Sequence, residues 1–217
     1  MGKYVFGSCR RHYLDVTLEN TAFGGKVLDV GGKKENQRGR FRPHLESVRC
    51  WEYVNVDPNV DPDFCCSADS IPVPKEVYDM VLSTELLEHV EFPSLILNEC
   101  CRVLKPGGMI LVSMPMLCPI HADPYDYQRW TPLKIKTELN KAGFDEITIR
   151  SMGGLCAVIH DLIRASVAQK ASTSLMWKIM LKVVLPLVGK MIVLSKKNTD
   201  DELITTGYFA VAHKRQS

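Results

Sequence analysis

Short apolar runs alternate with helix-like segments over the first 150 residues of the chain. Six runs have the length and composition of strands, and they cover residues 26–30, 52–57, 78–83, 109–114, 146–150 and 207–212. Apolar residues at helical spacing predict a helix over 93–104, and a segment that starts with threonine and proline predicts another over 132–142. This alternation is typical of an α/β domain with a mainly parallel sheet.

The pattern changes after residue 152, where two long helical stretches, 155–170 and 175–194, precede the last strand. We therefore predict a helical insertion over residues 153–205, which could cover the ligand pocket as a lid. The second stretch is as long as a membrane span, but three lysines and Pro186 interrupt it. A basic amphipathic helix of this kind fits a membrane surface, a lid, a dimer contact or the domain's own core. Peripheral membrane contact through residues 172–195 is one expectation.

The bulk properties narrow the class of protein. A chain of 217 residues has room for one α/β domain, which we assign to residues 1–217. The net charge of +2 demands no nucleic-acid partner, and the start of the chain lacks the apolar core of a signal peptide. The eight cysteines lack zinc-ligand spacing, so we expect reduced thiols, no metal site and a cytoplasmic protein.

Polar and glycine residues follow the predicted strands where a ligand would bind. In an open parallel sheet, ligands bind beyond the carboxyl ends of the strands. Asp29, Gly31 and Gly32 end the first strand, and Asp57 ends the second, where its carboxylate could accept the hydroxyls of a ribose. Ala68, Asp69 and Ser70 form a polar turn that suits an exocyclic amine, and Thr84 ends the third strand.

The order of these motifs resembles the class I S-adenosylmethionine-dependent methyltransferases, in the subgroup related to ubiquinone and menaquinone methyltransferases. The resemblance covers residues 25–150, and its most specific parts are Glu85-Leu86-Leu87-Glu88-His89 and Glu99-Cys100-Cys101-Arg102-Val103-Leu104-Lys105-Pro106-Gly107-Gly108. It implies a Rossmann-like fold with a seven-stranded, mostly parallel sheet flanked by helices. It also implies a cofactor-binding core over residues 25–150 with S-adenosylmethionine as the cofactor.

The resemblance also implies roles for single residues. Asp29, Gly31 and Gly32 would line the methionine end of the cofactor, and Thr84 would touch the same part. Asp57 would hold the ribose, and Ala68, Asp69 and Ser70 the adenine. Lys33 and Glu35 replace two glycines of the family's glycine-rich turn. The alternative that the chain is a methyltransferase-like partner subunit without a cofactor therefore stays open. His89 fits either a cofactor contact or a helix-end histidine bonded to a carbonyl.

The segment after the fourth predicted strand, residues 114–131, is dense in reactive side chains. It is similar to a segment of methyltransferases from surface-glycan and lipid-linked sugar pathways. His121 is the candidate general base, because imidazole titrates near neutrality, with Asp123 or Asp126 to orient it. Tyr125 and Tyr127 would stack on the acceptor, as would Trp130, and Arg129 would bind a phosphate or carboxylate. The alternative is a structural cover, in which His121 bonds a backbone carbonyl and Arg129 pairs with Asp126.

These patterns predict methyl transfer to a hydroxyl of a small or lipid-linked, glycan-like acceptor. Methylation of a quinone-like or lipid ring is the alternative enzyme reading. A methyltransferase-like subunit without catalysis is the third hypothesis.

Overall fold

The computed structural model describes residues 7–34, 39–43, 45–121, 124–171, 174–195 and 203–216. Its seven strands form one sheet in the order β3-β2-β1-β4-β5-β7-β6, in which β7 alone runs antiparallel to its neighbours. The strands are β1 (Lys26–Val30), β2 (Cys50–Asn55), β3 (Phe64–Cys65), β4 (Tyr78–Thr84), β5 (Leu104–Pro115), β6 (Phe144–Met152) and β7 (Gly207–Lys214). The predicted seven-stranded, mostly parallel sheet is confirmed.

Helices cover both faces of the sheet. They are α1 (Cys9–Glu19), α2 (Pro93–Val103), α3 (Pro132–Lys141), α4 (Leu155–Lys170), α5 (Leu175–Ile179) and α6 (Leu185–Ser195). Successive residues of β1 point to opposite faces, as a strand requires. Leu28 packs in the layer that contains α2 and α3, whereas Val27 packs in the layer that contains α1.

Two predicted boundaries are wrong for local reasons. The strand predicted over 52–57 ends at Asn55, because the Asp57 side chain accepts a hydrogen bond from Asn59 N and caps a 3-10 turn over Pro58–Val60. The strand predicted over 109–114 begins earlier, at Leu104, directly after α2. A register shift opposite Tyr78 and Met80, with Gly107 at φ +73°, accommodates the added residues in the strand.

The segment between β6 and β7 folds into α4, α5 and α6, with a π-helical turn at Met180–Val184 between the last two. Pro186 lies at the start of α6 and has no N–H to donate to the preceding turn, which accounts for the wider turn. Among the described residues, no helix combines the length and the apolar character that a membrane crossing needs.

Candidate active site

A cavity of about 330 Å³ opens at the carboxyl edge of β1, β2 and β4. This volume lies at the lower end of the range for small-molecule sites, about 300–1,000 Å³. Its location is the crevice in which open α/β sheets bind ligands. Most of the lining residues come from the ends of β1 to β4 and the segments after them, with Ile96 from α2 and Pro124 from the loop after β5: Gly31, Lys33, Val54, Asn55, Val56, Asp57, Cys66, Ser67, Ala68, Glu85, Leu86, His89, Val90, Ile96 and Pro124.

Gly31 fits this cavity because of its backbone conformation. Its φ is +80°, which L side chains rarely adopt, and an added Cβ would lie 3.0 Å from Leu86 Cδ1. The Gly31 N–H donates to Val54 O at 2.8 Å, so the turn after β1 is held against β2. Gly31 therefore presents no side chain of its own to a ligand in the cavity.

Asp57 lies at the cavity wall with a carboxylate already held in place. Its Oδ1 accepts hydrogen bonds from the backbone N–H and the side-chain amide of Asn59, at 2.9 and 2.8 Å. These bonds lower the pKa of Asp57 below its usual value. Because both bonds go to Oδ1, the other oxygen is the one that could accept ligand hydroxyls.

The structure divides the predicted cofactor residues into two groups. Gly31, Asp57 and Ala68 line the cavity. The other predicted residues lie outside its lining, in the same turns or in the strands just before them: Asp29, Gly32, Asp69, Ser70 and Thr84. Glu35 and Asp123 fall outside the described residues.

Several cavity residues were missed by sequence reasoning. Asn55 Nδ2 donates to Gly32 O at 2.9 Å, so this side chain fixes the glycine turn. Ser67 and Leu86 also line the cavity, next to predicted positions. A rule that also counts amide side chains at strand ends would have found Asn55.

Glu85 follows β4 at the rim of the cavity, and it has an unusual backbone. Its φ is +53°, and its side chain is nearly buried. Glu85 N donates to Ser113 Oγ at 3.0 Å, Ser113 Oγ donates to Glu85 Oε1 at 3.1 Å, and Arg10 of α1 pairs with the other carboxylate oxygen. This ion pair brings the amino-terminal helix to the edge of the cavity.

His121 lies beside Glu88 and His89, next to the cavity. The distances from Glu88 Oε1 are 3.6 Å to His89 Nε2 and 3.9 Å to His121 Nε2. The two imidazole rings meet edge to face, with centroids 5.2 Å apart. Burial raises the pKa of Glu88, and burial is also the largest cause that lowers the pKa of His121.

The loop that carries His121 is fixed to the turn after β4. Tyr127 N donates to Glu88 O at 2.8 Å, and Gln128 Nε2 donates to Leu87 O at 3.1 Å and Val90 O at 2.8 Å. Trp130 Nε1 in turn donates to Gln128 Oε1 at 2.9 Å. Trp130 is buried, so its predicted stacking on an acceptor is wrong.

Asp126 and Arg129 form the pair that the structural-cover alternative predicts. Both guanidinium Nη atoms donate to the Asp126 carboxylate, and Asp126 also accepts from His121 N at 2.9 Å. These contacts lower the pKa of Asp126 to about 2. His121 Nδ1 contacts Pro119 O at 3.1 Å, and the exposed rings of Tyr125 and Tyr127 lie 5.6 Å apart.

The specific run from Glu99 to Gly108 begins with a structural anchor. Arg102 donates to both carboxylate oxygens of Glu99, and also to Ile71 O and Val73 O at 3.0 and 2.8 Å. Glu99 Oε1 accepts from Ile71 N at 2.7 Å. These bonds attach the loop after the Ala68 turn to α2. The motif lies away from the cavity, but it holds in place a segment that lines it.

Comparison with known proteins agrees with this architecture. The model of the methyltransferase domain family matches residues 1–149. The ubiquinone biosynthesis O-methyltransferase of Bradyrhizobium sp. (strain ORS 278) is 41% identical over 116 residues, which make up 49% of this chain and 46% of that protein. The match therefore spans less than half the length of that relative.

Solved structures share the fold at low sequence identity. Phosphoethanolamine N-methyltransferase 2 of Haemonchus contortus, in complex with S-adenosyl-L-methionine, superposes with a TM-score of 0.56 at 16% identity, over 94% of this chain and 52% of that one. A SAM-dependent methyltransferase from Archaeoglobus fulgidus gives a TM-score of 0.52 at 16% identity, over 97% and 96% of the two chains. With the family match and the sheet order, these findings confirm that the chain belongs to the class I S-adenosylmethionine-dependent methyltransferase family.

Proposed function

We propose that this protein transfers a methyl group from S-adenosylmethionine to a hydroxyl of a lipid-linked, quinone-like acceptor. The observation that carries the proposal is the position of His121, next to a cavity that is open to a ligand at Gly31 and Asp57. The quinone-like ring is preferred over the glycan-like acceptor because the curated relatives include ubiquinone biosynthesis O-methyltransferases.

The residues of the cavity fit the parts of this cofactor. The second carboxylate oxygen of Asp57 would accept the ribose hydroxyls, and the turn of Ser67 and Ala68 would border the adenine. Gly31 would leave room for the chain that ends in the methionine groups. The predicted contacts of Asp29, Gly32, Asp69, Ser70 and Thr84 are proposed as indirect, through the turns that these residues shape.

His121 would act on the acceptor hydroxyl. When bound, the cofactor supplies a methyl group on a sulfonium sulfur: the acceptor oxygen gains the methyl, the sulfur keeps the bonding electrons, and the acceptor's proton must be taken up elsewhere. His121 Nδ1 faces the Pro119 carbonyl, which can only accept, so in a neutral ring Nε2 carries the lone pair. We assign the Nε2 lone pair as the base that takes up the proton of the acceptor hydroxyl.

The exposed rings of Tyr125 and Tyr127 would receive the acceptor ring. Their exposed fractions are 60% and 48%, and aromatic rings tilted toward each other suit a planar guest. Arg129 is already bonded to Asp126, so its proposed role is to hold the loop after β5 in place. Through that loop it would shape the acceptor site.

A membrane surface is the proposed source of a lipid-linked acceptor. Large apolar side chains are exposed on α4 to α6, and Lys178, Lys182 and Lys190 are exposed beside them. No acidic residue occurs between positions 175 and 195. Apolar groups flanked by cations fit an anionic bilayer surface.

The proposal is tested by incubating the protein with labelled S-adenosylmethionine and a panel of acceptors. The panel contains a ring with hydroxyls and a polyprenyl tail, the same ring without the tail, and a lipid-linked sugar. We expect the tailed ring to be methylated on oxygen, and His121→Ala to lose turnover while S-adenosylhomocysteine affinity stays within about twofold. Labelling of the sugar alone, or no cofactor binding in calorimetry, would refute the proposal.

A further inference from the structure

We propose that Lys33 binds the carboxylate of the methionine part of the cofactor. Lys33 replaces a glycine of the turn after β1, and it lines the cavity two residues after Gly31. The inference rests on the proposed position of the cofactor and is independent of the acceptor. It gives a function to a residue at which this chain departs from the family's glycine-rich turn.

Lys33 carries the only fixed positive charge among the described residues that line the cavity. The other basic side chain in this lining is the imidazole of His89, and the two acidic side chains are those of Asp57 and Glu85. Glu85 is already paired with Arg10, and Asp57 would accept the ribose hydroxyls. A ligand carboxylate in this cavity would therefore be attracted by Lys33 and repelled by Asp57.

Backbone and amide donors next to Lys33 are already used. The Gly31 N–H donates to Val54 O at 2.8 Å. The Asn55 side-chain amide donates to Gly32 O at 2.9 Å and to Gly31 O at 3.3 Å. A carboxylate that enters the cavity loses hydration, so it needs a hydrogen-bond donor or a cation in return. The ammonium group of a lysine supplies both.

The two consecutive lysines of the turn have different surroundings. Lys34 Nζ lies 3.4 Å from Asp61 Oδ2 and 3.2 Å from Asp63 Oδ1, so its charge is balanced within the protein. Lys33 has no carboxylate within 4.0 Å in the part of the chain that the structure describes. Of the two, Lys33 is therefore the lysine whose ammonium group can pair with a ligand.

The charge of Lys33 acts on the wall of the cavity. Two bonds from Asn59 are the largest causes that lower the pKa of Asp57, and the charge of Lys33 lowers it further. The ammonium group thus lies near Asp57 without forming an ion pair with it. A cofactor whose ribose is held by Asp57 would pass Gly31, and the flexible four-carbon side chain of Lys33 would meet its carboxylate.

Two ligands that differ at this end of the molecule test the contact. S-adenosylhomocysteine carries the carboxylate, whereas 5′-methylthioadenosine keeps the adenine, the ribose and the sulfur but lacks the aminocarboxylate end. Both are titrated by calorimetry into wild type and the variants. We expect Lys33→Met and Lys33→Gln each to weaken S-adenosylhomocysteine binding by about tenfold and to leave 5′-methylthioadenosine binding within about twofold.

The sign of the effect identifies the ligand group. Removal of a cation beside the ligand's ammonium group would strengthen binding, so a weaker affinity indicates the carboxylate. Lys33→Arg keeps the charge and should retain most of the S-adenosylhomocysteine affinity. Added salt should weaken S-adenosylhomocysteine binding more in wild type than in Lys33→Met, because salt screens the ion pair.

Lys75→Met is the matched control. Lys75 is exposed and lies just before β4, at the edge of the sheet opposite the cavity. Its removal should leave the affinities for both ligands unchanged. Thermal melts without ligand show that each variant is folded.

The outcomes separate this inference from the proposed function. If wild type binds both ligands, then an equal loss for both in the Lys33 variants, or no loss for either, overturns the Lys33 contact and leaves the cofactor site in place. If wild type binds neither ligand, the proposed function fails, and the Lys33 contact fails with it.

Discussion

Asp29 and Gly32 contact each other across the turn after β1, and a Cβ at position 32 would collide with the Asp29 carboxylate. The two residues were predicted to line the methionine end of the cofactor. Gly31 lines the cavity, whereas neither of these two residues is part of its lining. The shortened glycine motif is therefore consistent with a ligand site, because the glycine at the cavity wall is present.

This contact predicts the effect of a single methyl group. We expect Gly32→Ala to lower the free energy of unfolding by about 1–3 kcal/mol, because the added Cβ displaces the Asp29 carboxylate. Urea denaturation measures the change. Gly24→Ala is the matched control, because an added Cβ there meets no atom within 4 Å. Equal stability of the Gly32 variant and wild type would contradict the packing explanation.

Asp57 provides a test of the ribose contact. We expect Asp57→Asn to weaken S-adenosylhomocysteine binding by about tenfold to a hundredfold, the cost of losing hydrogen bonds to a charged acceptor. Calorimetry measures the affinity. Asp61→Asn removes a nearby exposed carboxylate and should leave the affinity unchanged. A similar loss in both variants would point to a general charge effect instead.

His160 predicts a pH dependence of stability. This buried ring in α4 contacts Asp161 Oδ1 at 2.9 Å through Nδ1 and Leu185 O at 2.9 Å through Nε2. Both partners accept hydrogen bonds, so the site favours a ring with a proton on each nitrogen, and the bond to Asp161 is the largest cause that raises the pKa of His160. Cys9 and Arg164 are further polar neighbours of this ring.

Because the folded pKa lies above the unfolded value of about 6.5, the stabilisation is complete below that pH. It is lost as the pH rises through the folded pKa. We expect the difference in melting temperature between wild type and His160→Gln to shrink over this range. Thermal melts at a series of pH values measure it, and a difference that stays constant above pH ~6.5 would refute the charged ring.

Arg102 predicts how the motif at the end of α2 supports the site. We expect Arg102→Met to lower the free energy of unfolding by about 1–2 kcal/mol, since the change removes its bonds to Glu99, Ile71 O and Val73 O. Cofactor affinity should fall less than in the Asp57 variant. Denaturation and calorimetry on the same preparation give both quantities, and an unchanged stability would contradict the anchoring role.

The exposed face of α5 and α6 predicts vesicle binding. We expect the protein to float with anionic vesicles, and exchange of Lys178, Lys182 and Lys190 for Gln to weaken binding roughly a hundredfold, at about 1 kcal/mol per lysine. Leu187→Glu and Met191→Glu should also weaken it. Leu133→Glu changes an exposed leucine on α3 and is the control. Equal flotation of all variants would exclude this surface.

The pattern of apolar positions predicted most of the sheet, because buried strands must be apolar whatever their neighbours. Helix α1 was missed, since its buried Leu14 and Leu18 lie among charged residues and even Asp15 is buried. Strand β3 is two residues long and carries no detectable period. Both depend on packing partners that are distant in sequence.

The site could be predicted where a ligand-facing residue lies just after a strand, as for Gly31, Asp57 and Ala68. The grouping of Glu88, His89 and His121 was not. These residues are brought together by the bond from Tyr127 N to Glu88 O and by the carbonyls of the loop after β5. Spacing rules look for neighbours along the chain, so they could not find a set that two separate loops bring together.

The helical segment leaves and re-enters the sheet at a single point. Met152, the last residue of β6, pairs with Gly207, the first residue of β7, and Thr205 Oγ1 donates to Met152 O at 3.1 Å. The segment therefore connects the paired ends of two antiparallel strands. An insertion or deletion within it leaves the register of every strand unchanged. The exposed surface of α5 and α6 can thus change without a change in the strands that form the cavity.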